Sequence, residues 1–138
     1  KQLIALLLTV FLAWGASTPA QAQSNAEEAI QQVISDQIAA FRADDLETAF
    51  GFAAPNIKQI FGTPERFGIM VQRGYPMVWR PQTFEFLDAR PEGGAIVQRV
   101  MFEDQAGRLF SAAYTMVLTD EGWQIAGVAI EPAIGASA

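Results

Sequence analysis

Residues 83–130, TFEFLDARPEGGAIVQRVMFEDQAGRLFSAAYTMVLTDEGWQIAGVAI, decide the fold, because here the hydrophobic period is two. Thr83 to Arg90 alternates, with Phe84 and Phe86 on one face. Ala95 to Glu103 sets Ile96, Gln98, Val100 and Phe102 against Val97, Arg99, Met101 and Glu103. Arg108 to Thr119 carries Phe110, Ala112, Tyr114, Met116 and Leu118 on its more apolar side, and Trp123 to Ile130 follows. Turn residues separate the runs: Pro91-Glu92-Gly93-Gly94, Asp104-Gln105-Ala106-Gly107 and Asp120-Glu121-Gly122. Connections this short join neighbouring strands head to tail, which predicts an antiparallel meander of four strands.

Upstream the period is helical. Ser24 to Arg42 places Ile30, Val33, Ile34, Ile38 and Phe41 on one stripe, and Ser24 with Glu27 fits a capping box. Asp44 is the expected N-cap of a second, shorter helix carrying Leu46, Ala49, Phe50 and Ala53, ended by Ala54-Pro55. Residues 56–62 read as a short apolar connector or a single helical turn. Thr63 caps a third helix, with Pro64 at its first position, Phe67, Met70 and Val71 buried and Gly74 as its stop. Three helices followed by a four-stranded sheet predict an α+β domain, helices on one sheet face. After Pro132 the tail AIGASA is expected to fray.

The first residues, KQLIALLLTVFLAWGASTPAQAQ, have the layout of a secretory leader: Lys1, an apolar run from Leu3 to Trp14, then small residues ending Ala20-Gln21-Ala22. The run is shorter than the roughly 20 residues of a spanning helix. The reading is a signal peptide over residues 1–22, a single domain over 23–138, and a periplasmic or secreted location by the general route. With no cysteine, stability must come from apolar burial, for which ten Phe and three Trp are available. A net charge of −6 argues against nucleic acid and, after leader removal, membrane as partners.

The helix running into FRADDLETAF (residues 41–50), the segment TPERFGIMVQRGY (63–75) and the hairpin TDEGWQIAGV (119–128) together resemble the nuclear-transport-factor-2-like superfamily, which includes polyketide cyclase-like and ketosteroid isomerase-like proteins. More narrowly, residues 57–81 and 100–128 look like a bacterial secreted family known only as a domain of unknown function. The resemblance covers Ala26 to Glu131. It implies a cone-shaped fold in which a curved sheet wraps a long helix. It implies no activity, since the superfamily hosts enzymes, binding modules and oligomerisation domains.

A chain without His or Cys has no Ser-His-Asp triad, no Cys nucleophile and no zinc site of the usual types. No P-loop or dinucleotide fingerprint is present. The acidic pairs Glu27-Glu28 and Asp44-Asp45 are adjacent on helices and make no clamp, so no metal and no cofactor is expected. Ketosteroid isomerase-like relatives use a carboxylate base beside a tyrosine. Tyr114 fits the tyrosine, but Glu85 and Glu103 fall on the outer strand face, and Asp36 is the one stand-in base. No catalytic residue is assigned. Gln98 sits among apolar neighbours, and the register counted back from the Gly107 turn puts Tyr114 near Gln98 to Val100, either as a satisfied core pair or at the floor of a cavity. The segment GYPMVWRP, Gly74 to Pro81, is expected to be stiff and extended. It is either a structural corner or the mouth of a pocket, with Trp79 as lid or wall and Arg80 stacked on it or meeting an anion.

These readings give a candidate pocket of Tyr75, Trp79, Arg80, Gln98, Phe102, Tyr114 and Met116. The expected function is non-enzymatic: binding of a small apolar ligand or of a partner protein. The alternatives are an isomerase, cyclase or dehydratase, and a structural domain that forms a homodimer through Val97, Met101 and Val117 on the outer sheet face.

Overall fold

The computed structural model of the chain describes residues 15–132 except Ser17. The apolar part of the expected leader and the tail AIGASA lie outside the described residues. Five helices precede four strands: α1 Pro19–Arg42, α2 Leu46–Gly51, α3 Pro55–Phe61, α4 Pro64–Gly74, α5 Pro76–Trp79, then β1 Thr83–Glu92, β2 Ala95–Glu103, β3 Leu109–Thr119 and β4 Gly122–Pro132. The sheet is an antiparallel meander in the order β1-β2-β3-β4. The α+β class and strand order therefore follow the period-two pattern. No described helix is long and apolar enough to cross a membrane.

Helix α1 starts six residues earlier than its capping-box signal. Thr18 is the N-cap, its hydroxyl accepting from the Gln21 N–H at 3.2 Å, and Pro19 occupies the first turn. The intervening Ala and Gln are good helix formers, so Ser24 is absorbed into the helix. Ile30, Ile34, Ile38 and Phe41 are each 0–1 % exposed. Their spacing of four, four and three residues makes one stripe, which joins Val100, Phe102, Ala112, Tyr114 and Met116 of the sheet in a single core. Each such side chain contributes roughly 1.5–3 kcal/mol on burial.

Between α1 and α2, Asp44 has φ 54°, a left-handed turn that Asp tolerates better than most residues. The N-cap of α2 is therefore the next residue, Asp45, whose carboxylate accepts from the Thr48 N–H at 3.2 Å and the Thr48 hydroxyl at 2.7 Å. Helix α4 lies tight against α2: a Cβ on Gly68 would come within 2.6 Å of Leu46 Cδ2.

Two connecting segments are more helical than expected; the first reads in sequence as at most one turn. The segment 55–61 forms α3, and residues 76–79 form the single turn α5 where an extended chain was expected. The reason is the same in both. Pro55 and Pro76 fall at the start of a turn, where a missing N–H costs nothing, so these prolines begin helices. Gly62, at φ 78°, then ends α3.

The strand register puts Phe84 opposite Phe102, Phe86 opposite Val100 and Gln98 opposite Tyr114. Bulges interrupt β1 between Phe86 and Ala89 and the β3–β4 ladder at Thr115/Met116. Bulges bend the strands that carry them. The outer margin of β4 is clasped by the α2–α3 connection: Ile125 N–H donates to Phe52 O at 2.9 Å, and Ala54 N–H donates to Ile125 O at 2.8 Å.

Candidate functional site

Helices α3 and α4 each present an apolar edge. Ile57, Ile60 and Phe61 recur at intervals of three and one along α3; Phe67, Met70 and Val71 repeat that spacing on α4. Pro55, Gly62, Thr63 and Pro64 fix where both helices begin and end, and Thr63 Oγ1 accepts from the Arg66 N–H at 3.2 Å. The clasp at Ile125 holds β4 beneath them.

The two helix edges do not close completely on the sheet. A cavity of about 260 Å³ remains, bounded by α1, α3, α4, α5 and β4. Its walls are Phe41, Ile57, Phe61, Phe67, Met70, Val71, Val78, Ile125 and Val128, with Ile60 at the rim, 69 % exposed. The polar side chains on the wall are Gln37 and Tyr75. Gln37 is buried, and its Nε2 donates to Ala49 O at 3.1 Å. Tyr75 is half-buried; its hydroxyl donates to Val128 O over a long 3.4 Å. No wall residue is charged. A second depression of about 520 Å³, between Pro55, Lys58 and Gln124, is larger, but it is open to solvent and lined by charged and amide groups. It has no wall against which an apolar molecule would be desolvated.

Of the seven residues expected to form a pocket, Tyr75 lines this cavity. The others are in two different places. Trp79 and Arg80 make a corner. The Trp79 ring packs 5.4 Å from Phe41, and the Arg80 guanidinium stacks 4.6 Å over Trp79. Arg80 Nη1 donates to the carbonyls of Phe41 and Trp79, and Nη2 pairs with Asp44 at 2.7 Å. Arg42 reaches back to Pro81 O at 3.1 Å. The segment GYPMVWRP thus ties the C-terminus of α1 to the start of the sheet, and Arg80 is used up on carbonyls and a carboxylate rather than free for an external anion.

Gln98, Phe102, Tyr114 and Met116 lie in the middle of the inner sheet face, all fully buried. Phe102 packs between Phe84 and Tyr114, with ring centroids 6.1 and 6.4 Å away. Gln98 Nε2 donates to Arg99 O at 2.9 Å, Leu87 O at 3.1 Å and Asp88 O at 3.3 Å. Leu87 and Asp88 are the bulge residues of β1, so the amide replaces ladder bonds that the bulge removes. Gln98 Oε1 and the Tyr114 hydroxyl have no partner among the described residues. The two residues face each other across the ladder but are not a satisfied pair. Burial pushes the Tyr114 phenol well above its ordinary value.

Carboxylates are absent from the cavity wall. Asp36 is exposed and accepts from Gln32 Nε2 at 2.8 Å, so the stand-in base faces solvent. Asp104 is buried but is consumed by the β2–β3 turn, accepting from the N–H groups of Ala106 and Arg108 and from Arg108 Nε. Among the described residues, no group of three or more carboxylates is arranged to hold a metal ion.

Sequence reasoning missed Gln37, Ile57, Ile60, Phe61, Met70 and Val71 as wall residues. The spacing of the apolar pairs on 57–61 and 67–71 was readable, but it said only that both segments were amphipathic. Gln37 carried a signal, an amide on the apolar side of α1, that spacing alone does not separate from a helix flank.

Fold and cavity together define a small α+β domain that encloses an apolar space against one edge of its sheet. The chain belongs to the family described as Domain of unknown function (DUF4864), which matches residues 23–138. None of the curated proteins matches it.

Proposed function

We propose that the protein is an exported, non-enzymatic module that holds one small, mainly apolar molecule in the cavity between α3, α4 and β4. The observation that carries this reading is the cavity wall: aromatic and aliphatic side chains with two polar groups and no charge. Ligand sites are usually built this way, and an apolar cavity of ~150 Å³ already accepts benzene. In its element order the domain is of the nuclear-transport-factor-2-like type, with helices followed by a meander packed on α1. The acidic composition disfavours nucleic acid as a partner.

Export rests on the leader pattern of residues 1–22. Residues 18–25 are all exposed, and the first buried residue of α1 is Ile30. Among the described residues, cleavage after Ala22 therefore removes one helical turn and no buried side chain. Purified from the periplasm or medium of a bacterial host, the chain is expected to begin at Gln23 by N-terminal sequencing. Its melting temperature should lie within about 2 °C of that of the residue 18–132 span.

The ketosteroid isomerase-like alternative needs an ionisable base in reach of the bound molecule. No carboxylate among the described residues lines the cavity, and this favours binding over catalysis. Self-association through Val97, Met101 and Val117 would have to cover Arg99, which pairs with Asp88 at 2.7 Å and Glu131 at 3.8 Å on that face.

Titration with ethylbenzene, followed by calorimetry and by thermal shift, tests the binding reading. Saturable binding of one molecule per chain is expected. Met70→Trp, which fills the cavity from its half-buried wall, should abolish it while the fold persists. A wild-type chain that takes up no apolar probe at its solubility limit would remove the proposal.

A further inference from the structure

We infer that the cavity selects neutral ligands carrying one hydrogen-bond donor, an alcohol or a phenol, and that Gln37 reads that donor. This rests on the binding reading above and adds the chemical class.

The argument starts from what the polar wall atoms have already spent. Gln37 Nε2 is held by Ala49 O. A backbone carbonyl only accepts, so this bond fixes which end of the carboxamide is nitrogen. The remaining polar atom, Oε1, accepts no hydrogen bond from any described residue and is open to a water-sized group. Tyr75 directs its one proton to Val128 O over a long 3.4 Å, and Gln37 Nε2 keeps one further N–H. What these two groups have left to offer at the wall is chiefly acceptor capacity. Burial makes the difference between them: Gln37 is 3 % exposed, whereas Tyr75 is half-buried. A ligand that covers Gln37 Oε1 without offering a donor leaves a buried acceptor unpaired, so the contact favours the ligand that has one.

The same wall rejects carboxylates. No Lys or Arg lines the cavity, and a carboxylate would bring its charge into an apolar space with no cation to pair it. An alkane of the same shape fits but leaves Oε1 unpaired. The order of affinity should be alcohol, then ether or alkane, then carboxylate. A net hydrogen bond of ordinary strength corresponds to about two- to tenfold in affinity.

The test uses four probes of one shape: 2-phenylethanol, its methyl ether, ethylbenzene and phenylacetate, titrated calorimetrically into the full-length mature chain. Binding of 2-phenylethanol about two- to tenfold tighter than ether and ethylbenzene, with phenylacetate weakest, is the expected result. Gln37→Met, close in size but without the acceptor, should level alcohol and ethylbenzene. Tyr75→Phe should keep the preference. Equal binding of alcohol and ethylbenzene overturns the ligand class and leaves the apolar binding reading standing, as does a preference that survives Gln37→Met or disappears only in Tyr75→Phe. Tightest binding of phenylacetate overturns it too. Failure of all four probes overturns both readings. If Gln37→Met does not fold, the wild-type comparison of alcohol with ether still decides.

Discussion

Tyr114 carries a hydroxyl into the centre of the sheet and leaves it unbonded among the described residues, although a buried phenol ordinarily finds a partner. Its neighbour Gln98 is in the opposite position on its nitrogen side, which serves three carbonyls. The two substitutions that remove these groups should therefore differ in sign. Tyr114→Phe deletes an unpaired group and keeps the ring against Phe102. It is expected to leave stability unchanged or raise it by about 1 kcal/mol. Gln98→Leu orphans the bulge carbonyls of Leu87 and Asp88 and should cost about 1–3 kcal/mol. Urea unfolding of both variants measures this, and a Tyr114→Phe loss larger than that of Gln98→Leu would refute the assignment. At the corner, Asp44→Asn touches a pair open to solvent and should change stability by under about 1 kcal/mol. Arg80→Met also removes the donor to Phe41 O at the end of α1 and should cost more, as the same unfolding curves would reveal.

Among elements, α1 contributes the side chains around which everything else is arranged. Ile34 is fully buried at the middle of its stripe. Ile34→Ala should cost about 2–5 kcal/mol, read from denaturant midpoints, whereas Leu118→Ser, on a residue 66 % exposed, should stay within about 0.5 kcal/mol. The strands and the long helix were legible in the sequence because each repeats its period over nine residues or more. The turn at Gly107 also places Tyr114 near Gln98 to Val100, and the observed register sets it opposite Gln98. Of the short helices, α2 was legible from its Asp cap, but α3 and α5 were not. In α3 and α5, seven and four residues are too few to establish a period. Proline is also ambiguous in isolation: it stops one helix and starts the next, and Pro55 and Pro76 are starters. The cavity was hidden for a related reason. It arises where α3 and α4 close only partly on β4, and gaps between elements are a property of three-dimensional packing that one-dimensional patterns do not contain. The aromatic-rich sheet face that looked like a pocket is filled by α1.

For the molecule as a whole, pH dependence follows from four groups. Hydrogen bonds from the Thr48 hydroxyl and N–H hold Asp45 below the ordinary carboxylate range. Asp88 is lowered first by its bond from Arg99. For Asp104, burial pushes the carboxyl up, but the N–H groups of Arg108 and Ala106 and the Arg108 side chain outweigh it, and the net direction is down. A carboxyl held below its unfolded value stabilises the fold at any pH above that value, and the contribution is lost as pH falls through the folded-state value. Tyr114 acts at the other end. Its raised value stabilises the fold fully below about pH 10, where the unfolded phenol starts to ionise, and progressively less above it. With no histidine in the chain, stability should be flat from about pH 5 to 9, fall below about pH 4 and fall again above about pH 10. Tyr114→Phe should flatten the alkaline limb and leave the acid limb unchanged. A midpoint that shifts between pH 6 and 8 would contradict this.

The clasp at Ile125 has a consequence beyond holding the cavity wall. A meander has two raw margins, each a template on which a stray chain could add a strand. Here one margin is already occupied by the Phe52–Ala54 segment, and the other is broken by the β1 bulge and by Pro91, which has no N–H to offer. Neither side of the sheet invites lateral growth, so a fold that depends on greasy aromatic burial can still tolerate crowding without polymerising.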